Sequence, residues 1–139
     1  MESQRLKLCI IIRGIPGSGK STLGSCLLNA YESANIPCRQ IESDDYFIGP
    51  TGSYQFDPKK IGAAINYVEL SAAKFFSENT HGVLILSNCY TKRNQFELFR
   101  RLASQHGFDM QVISVESSFL SVHNVPAGVV ATMRAQFER

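Results

Sequence analysis

Few features in this chain point to a membrane, an oxidising compartment or a repetitive scaffold. None of its 139 residues lie in an apolar run approaching the roughly 20 residues of a membrane span, and Met1-Glu2-Ser3-Gln4-Arg5 has no signal-peptide pattern. Those absences make one cytoplasmic domain over residues 1–139, with no membrane partner, the expectation. Cys9, Cys26, Cys38 and Cys89 form no C-x-x-C pair, which argues against a zinc site or a disulfide framework. They are expected as reduced, mostly buried thiols. A net charge of +2 is too small for the basic stripe of a dedicated phosphate-backbone binder. The basic pairs Lys59-Lys60, Lys92-Arg93 and Arg100-Arg101 either line one groove or are solvated helix faces. No internal repeat, low-complexity tract or linker is present. A content of 44% hydrophobic and 19% charged residues suits one packed core.

What the chain does contain is Gly14-Ile15-Pro16-Gly17-Ser18-Gly19-Lys20-Ser21, which meets G-x-x-x-x-G-K-[ST] at every defined position. Its flanks are those a phosphate-binding loop needs. Leu6 to Ile12 is an apolar, β-branched run long enough for one buried parallel strand, and Leu23, Cys26, Leu27, Ala30 and Ala34 recur at helical spacing. In a strand–loop–helix order, backbone N–H groups and a helix N-terminus converge on a phosphate chain. Gly14, Pro16, Gly17, Ser18, Gly19, Lys20, Ser21 and Thr22 are therefore the candidate nucleotide-binding residues. Lys20 supplies charge to the β and γ phosphates, and the Ser21 hydroxyl is the candidate ligand for Mg²⁺.

Along the rest of the chain, Ala34-Asn35-Ile36-Pro37 stops the first helix and Cys38 to Glu42 reads as a second strand. Ser43-Asp44-Asp45 leaves at its carboxyl end, where ligands bind in open α/β sheets. Ile48 to Phe56 reads as a loop or small hairpin, and Asp57-Pro58 caps a helix reaching about Asn79. In that helix Ile61, Ala64, Ile65, Val68, Ala72, Phe75 and Phe76 share one face and are expected in the core. Val83 to Ser87 makes a third strand, and Phe96, Phe99, Leu102 and Ala103 mark a helix. Met110 to Val115 makes a fourth strand, and Pro126 opens a last helix with Val129, Val130, Met133 and Phe137 on its apolar side. His81 and His106 precede glycines at helix ends and are not expected as ligands. The βαβαβαβα pattern predicts an α/β, three-layer fold, a small parallel sheet with helices on both faces.

Arg13 to Leu23, Ser43-Asp44-Asp45-Tyr46-Phe47, Gly52 to Pro58 and the tail His123-Asn124-Val125-Pro126 together resemble the polynucleotide-kinase-like P-loop family. That family includes the phage 5′-kinase and kinase-like domains of vertebrate proteins named for binding a ubiquitin ligase. The resemblance implies the P-loop NTPase fold with strand order 2-3-1-4. It also implies ATP with Mg²⁺ as cofactors, phosphoryl transfer to a hydroxyl, and Lys20 and Asp44 as catalytic residues with Asp44 as the base. Asp45 is expected in a supporting role. In three places the chain departs from the family. Ser87-Asn88-Cys89-Tyr90 stands where the family reads D-N-T-N, removing the carboxylate expected near Mg²⁺. No arginine lies between Glu116 and Ala127, so the lid lacks its transition-state cation, for which Arg93 or Arg134 are the substitutes in reach. Phe47 takes the place of the phage enzyme's substrate-holding arginine, where it either stacks on a base or packs.

Three functions stay open at this point. The chain is a kinase for a polynucleotide 5′-hydroxyl, with single-stranded nucleic acid as partner; or a kinase for a nucleoside or other small molecule; or a catalytically weak nucleotide-binding module acting through a partner.

Overall fold

The computed structural model describes residues 5–116 and 127–138. The expected lid, the His123-Asn124-Val125-Pro126 match and the helix start at Pro126 lie outside the described residues. Strand β1 (Lys7–Arg13) leads through the glycine loop into helix α1 (Lys20–Ser33), followed by β2 (Cys38–Ile41) and a 3₁₀ turn, Ser43–Phe47. A second 3₁₀ turn, Pro58–Lys60, runs into α2 (Ile61–Glu78), then β3 (Gly82–Asn88), a 3₁₀ turn Arg93–Gln95 and α3 (Glu97–Gln105). Strand β4 (Asp109–Ser114) and helix α4 (Ala127–Gln136) complete the described elements. The strands form one parallel sheet in the expected order, β2-β3-β1-β4.

The sheet is covered on both faces because side chains alternate across a strand. Cys9, Ile11, Leu84 and Leu86 face one side, where they meet Val68, Ala72, Phe75 and Phe76 of α2 and Phe99 and Ala103 of α3. Leu8, Ile10, Ile12, Val83 and Ile85 face the other and pack on Leu23, Leu27, Leu28 and Tyr31 of α1. β1 and β3 lie in the middle, so their ends, and with them the glycine loop, are set by the most tightly packed part of the molecule. Truncating the fully buried Ile11 to alanine costs about 2–5 kcal/mol.

The boundaries follow from local chemistry. Helix α1 stops where Asn35 takes a left-handed conformation (φ 59°) and the Ile36 N–H returns to the Tyr31 carbonyl. Asp57 accepts the Lys59 N–H at 3.0 Å, with Pro58 at the first position of the turn that starts α2. β2 ends at Ile41 rather than Glu42, because Glu42 caps the Ser43–Phe47 turn.

Three core expectations need correction. Ile61 and Ile65 are 46% and 53% exposed, whereas Ala64, Val68, Ala72, Phe75 and Phe76 of the same helix are buried. Cys26 is exposed on the outer side of α1. Val129 is exposed on α4, whereas Phe137, just past the helix, is half-buried. Among the described residues, no helix is long and apolar enough to cross a membrane.

Candidate active site

The glycine loop is shaped by backbone conformation and by close approach. Gly17 and Gly19 have φ of 80° and 98°, a region side chains disfavour. Gly14 answers a different need: a Cβ there would stand 2.5 Å from Ser18 Oγ and 2.7 Å from the Val115 carbonyl oxygen. Ser18 is fully buried, with no partner for its Oγ among the described residues, while Ser21 and Thr22 are exposed. Among the described residues the amides of Gly17, Gly19, Lys20, Ser21 and Thr22 have no backbone acceptor. Such an array at a helix N-terminus is a seat for an anion. Lys20 Nζ lies over the loop, donating to the Ile15 carbonyl at 3.2 Å and standing 4.0 Å from Cys89 Sγ.

At the root of the loop sits a buried cation. Arg13, only 2% exposed, donates from Nε to the Tyr90 carbonyl at 2.9 Å and from Nη2 to the Thr91 carbonyl at 3.1 Å. Its guanidinium lies 4.1 Å from the Phe137 ring centroid and 5.6 Å from that of Phe96. The Glu138 N–H also reaches the Thr91 carbonyl, at 2.7 Å. The end of β1, the exit of β3 and the chain beyond α4 are thereby clamped together. Beside this clamp, Ile15, Val115, Glu116, Arg134 and Phe137 line a cleft of about 60 Å³.

On the other side, the turn after β2 carries the acids. Asp44 Oδ1 accepts the Tyr54 hydroxyl at 3.2 Å. Desolvation, then the charge of Asp44 and this hydrogen bond, push the Tyr54 phenol up to about 12, so it remains a donor at neutral pH. Asp45 Oδ2 accepts the Glu42 N–H at 2.9 Å, and the Glu42 side chain in turn accepts the Asp45 N–H, a reciprocal cap on the turn. Desolvation raises the Asp45 carboxyl against the lowering effect of that bond. Glu42 is raised too, by desolvation first and by Asp45 and Asp44, opposed by the nearby Ser21 side chain and by the charge of Lys20. Asn88 accepts both the N–H and the hydroxyl of Ser43, at 2.8 and 2.7 Å, and donates to the Tyr90 hydroxyl at 2.9 Å. The end of β3 thus fixes the residue immediately before Asp44.

Lys20 stands 4.0 Å from Cys89, and Ser43, the residue before Asp44, is bound to Asn88, so both segments border the end of β3. Cys89, at the end of β3, has its thiol raised by burial and by Asp44, with Lys20 opposing. Asp45 is bound to its own turn, as its supporting role required. Phe47 is 7% exposed and packs on Phe56, Tyr46 and Tyr54, which decides for packing over stacking. Tyr46 and Phe56, 40% and 53% exposed, are the rings of this group that remain accessible. His106 stacks on Phe76, and His81 sits between α2 and β3; neither joins the cleft. The basic pairs are solvated: Arg93 faces Glu138 at the surface and Arg100 pairs with Glu97 on its own helix. Glu42, Tyr54 and Arg13 were not singled out from the sequence. Only Glu42 had a local signal, the acid-x-x-acid spacing of a cap over Glu42 to Asp45.

A family model described as an AAA domain matches residues 9–119. Human NEDD4-binding protein 2 is 31% identical over 99 residues, 71% of this chain and 5% of that protein. The 2',3'-cyclic-nucleotide 3'-phosphodiesterase of Pongo abelii is 27% identical over 115 residues, 81% of this chain and 24% of that protein. The chain therefore spans a small part of either relative. In fold it is similar to the Mycobacterium tuberculosis APS kinase CysC in complex with AMPPNP and APS, with TM-score 0.60 and 18% identity over 99% of this chain and 78% of that one. It is also similar to a gluconokinase from Sinorhizobium meliloti 1021, with TM-score 0.60 and 17% identity over 98% and 78% of the two chains. A chain of the Pnkp1/Rnl/Hen1 RNA repair complex matches with TM-score 0.61 and 14% identity over 95% and 38%. The four-stranded 2-3-1-4 sheet between helices is the fold of P-loop kinases.

Proposed function

The chain belongs to the AAA domain family, as a P-loop kinase-like domain, and on that premise we propose that it binds Mg·ATP and transfers the γ-phosphate to a hydroxyl, with a polynucleotide 5′-hydroxyl as the favoured acceptor. One observation carries this proposal: the amides without backbone acceptors after β1 lie beside a lysine that shares the end of β3 with Asp44.

Gly14 and Pro16 shape the loop, Ser18 braces it from within, and the amides of Gly17, Gly19, Lys20, Ser21 and Thr22 donate to phosphate oxygens. Lys20 exchanges the Ile15 carbonyl for the β and γ phosphates. The donor set fits a hard cation, with the exposed Ser21 hydroxyl as protein ligand and carboxylates alongside. Ser21 would hold Mg²⁺ there, which when bound would neutralise charge on the phosphate oxygens. Asp44 takes the proton of the acceptor hydroxyl as its oxygen bonds to the γ-phosphorus, and the bond from that phosphorus to the ADP oxygen breaks. Tyr54 orients that carboxylate. The cleft of Ile15, Val115, Glu116, Arg134 and Phe137 adjoins the loop and offers the nucleobase apolar walls. Arg134 there, or Arg93, supplies the cation that the stretch from Glu116 to Ala127 lacks. The names of the similar RNA repair complex and cyclic-nucleotide phosphodiesterase are in keeping with a nucleic-acid acceptor.

The test is incubation with γ-labelled ATP and either single-stranded oligonucleotides or a panel of nucleosides. Label at oligonucleotide 5′ ends, lost in Lys20→Ala and Asp44→Asn, is the expected result, whereas label on nucleosides alone replaces the acceptor with a small molecule. A second reading, a nucleotide-binding module that acts through a partner, is favoured by one observation: Ser87 and Asn88 place no acid at the exit of β3. Calorimetric binding of Mg·ATP, with no acceptor raising turnover above the Lys20→Ala background, would establish it.

A further inference from the structure

We propose that Glu42 is the protein carboxylate of the divalent-cation site at Ser21, supplied from β2 in place of an acid at the end of β3; this rests on the cleft being a Mg·nucleotide site. The three acids beyond β2 have separate engagements. Asp44 accepts from Tyr54 and Asp45 accepts the Glu42 N–H, whereas Glu42 lines one cleft with Ser21, whose hydroxyl suits a hard cation, and shares the Gln40 amide with the Ser21 carbonyl.

The sheet register explains why Glu42 can take this place. β2 and β3 are parallel, with Ile41 opposite Leu86, and Glu42 continues in extended conformation (φ −131°, ψ 149°). The next step brings Glu42 level with Ser87, one strand away, a spacing of about 4.8 Å. Ser87 is 2% exposed and its Oγ has no partner among the described residues, and Asn88 is occupied by Ser43 and Tyr90. Neither can contribute a charge.

The surroundings suit a cation that keeps part of its water. Ser21, Ser25, Gln40, Glu42 and Asp45 line a cleft of about 200 Å³, rich in oxygen acceptors for coordinated waters. Gln40 holds Glu42 in position: its Nε2 donates to Glu42 Oε1 at 3.2 Å and to the Ser21 carbonyl at 3.3 Å, and Ser25 donates to Gln40 Oε1 at 3.3 Å. This bridge needs Gly24, where a Cβ would stand 2.4 Å from Gln40 Nε2. Among the described residues no three His, Cys, Asp or Glu side chains form a metal cage. That matches Mg²⁺, which takes one or two carboxylates together with substrate phosphates.

Glu42 also caps its turn, so the test must separate charge from fold. Glu42→Gln keeps one oxygen for the Asp45 N–H while losing the charge and one acceptor, and its melting temperature checks the fold. Calorimetric titration with AMPPNP, with Mg²⁺ and with EDTA, gives the gain in affinity due to the metal; Mn²⁺ electron paramagnetic resonance with AMPPNP reads the metal directly. In Glu42→Gln the metal-dependent gain should fall about 10–100-fold while the affinity in EDTA holds, Glu42→Asp should retain part of the gain, and Asp45→Asn should lose less of it than Glu42→Gln. An unchanged gain in Glu42→Gln, or a loss confined to Asp45→Asn, overturns the assignment of Glu42. If the wild-type chain does not bind AMPPNP with or without metal, the nucleotide-site proposal falls with it.

Discussion

The glycine loop and the turn-and-hairpin segment from Ser43 to Phe56 flank the same end of β3, yet they are built from different materials. The loop offers main-chain N–H groups, shaped by left-handed glycines and anchored at its root by a buried arginine. The opposite rim offers side chains: Asp44 held by Tyr54, and an exposed apolar surface of Tyr46, Ile48, Phe56, Ile61 and Ile65. Its backbone is tied mainly to itself, by the Ile48–Tyr54 bridge and hydrogen bonds such as those from the Gln55 N–H to the Phe47 carbonyl and from the Gly49 N–H to the Ser53 carbonyl. A main-chain cradle binds what every nucleotide shares, its phosphates. A rim of side chains can be altered for a new acceptor without disturbing the cradle.

Substitutions can pull the two sides apart. The largest expected effect is on the rim: Asp44→Asn should lower the transfer rate by about 10²–10⁴-fold, with ATP affinity nearly unchanged. Loss of ATP affinity to the same degree, by calorimetry, would show that the two sides do not work separately. Next is the anchor of the cradle. Arg13→Met leaves the Tyr90 and Thr91 carbonyls without their donor and removes the contacts with Phe96 and Phe137, and should cost about 2–4 kcal/mol in urea unfolding. Glycine-to-alanine changes should then have opposite signs. Gly14→Ala meets Ser18 and Val115 and should destabilise by about 1–3 kcal/mol and weaken nucleotide binding. Gly62→Ala on α2, with nothing within 4 Å of the new Cβ, should stabilise by about 0.4–1 kcal/mol. The smallest effect is on thiol reactivity. Burial pushes Cys9 up to about 12 and Cys38 up to about 11, and raises Cys89, so thiolate is scarce at pH 8 and Cys26 should react first with a disulfide reagent. The sign is that of any acid raised by burial: the stability contribution of Cys9 is present below the ordinary thiol range and is lost as pH climbs toward about 12.

The cradle was legible because its requirements are local. A strand, glycines able to take positive φ and a helix start are consecutive in the chain, and β1 and α1 appear where the apolar run and the helical spacing put them. The strand order 2-3-1-4 came from resemblance, since periodicity does not say which strands pair. The rim was only partly legible. Asp44 stood out by its place after a strand, but Tyr54, which orients it, is ten residues away across a small hairpin. Asn88 read as a departure from a family pattern, whereas its amide fixes Ser43 from 45 residues away. Ile61 and Ile65 have the spacing of a buried face and remain exposed, because spacing records that a face is apolar and not whether anything covers it.

By itself the amino-acid sequence determined the order of the elements, the loop that offers its amides, and the presence of an acid after the second strand. Each is encoded within a turn or two of chain, by backbone freedom and side-chain period. Only the tertiary structure decided that Glu42 and Ser21 line one cleft, that Arg13 clamps three separate segments, and that Lys20 and the turn carrying Asp44 both border the end of β3. Those contacts join residues far apart in the chain, and their distances are set by strand pairing and packing, which no local pattern records.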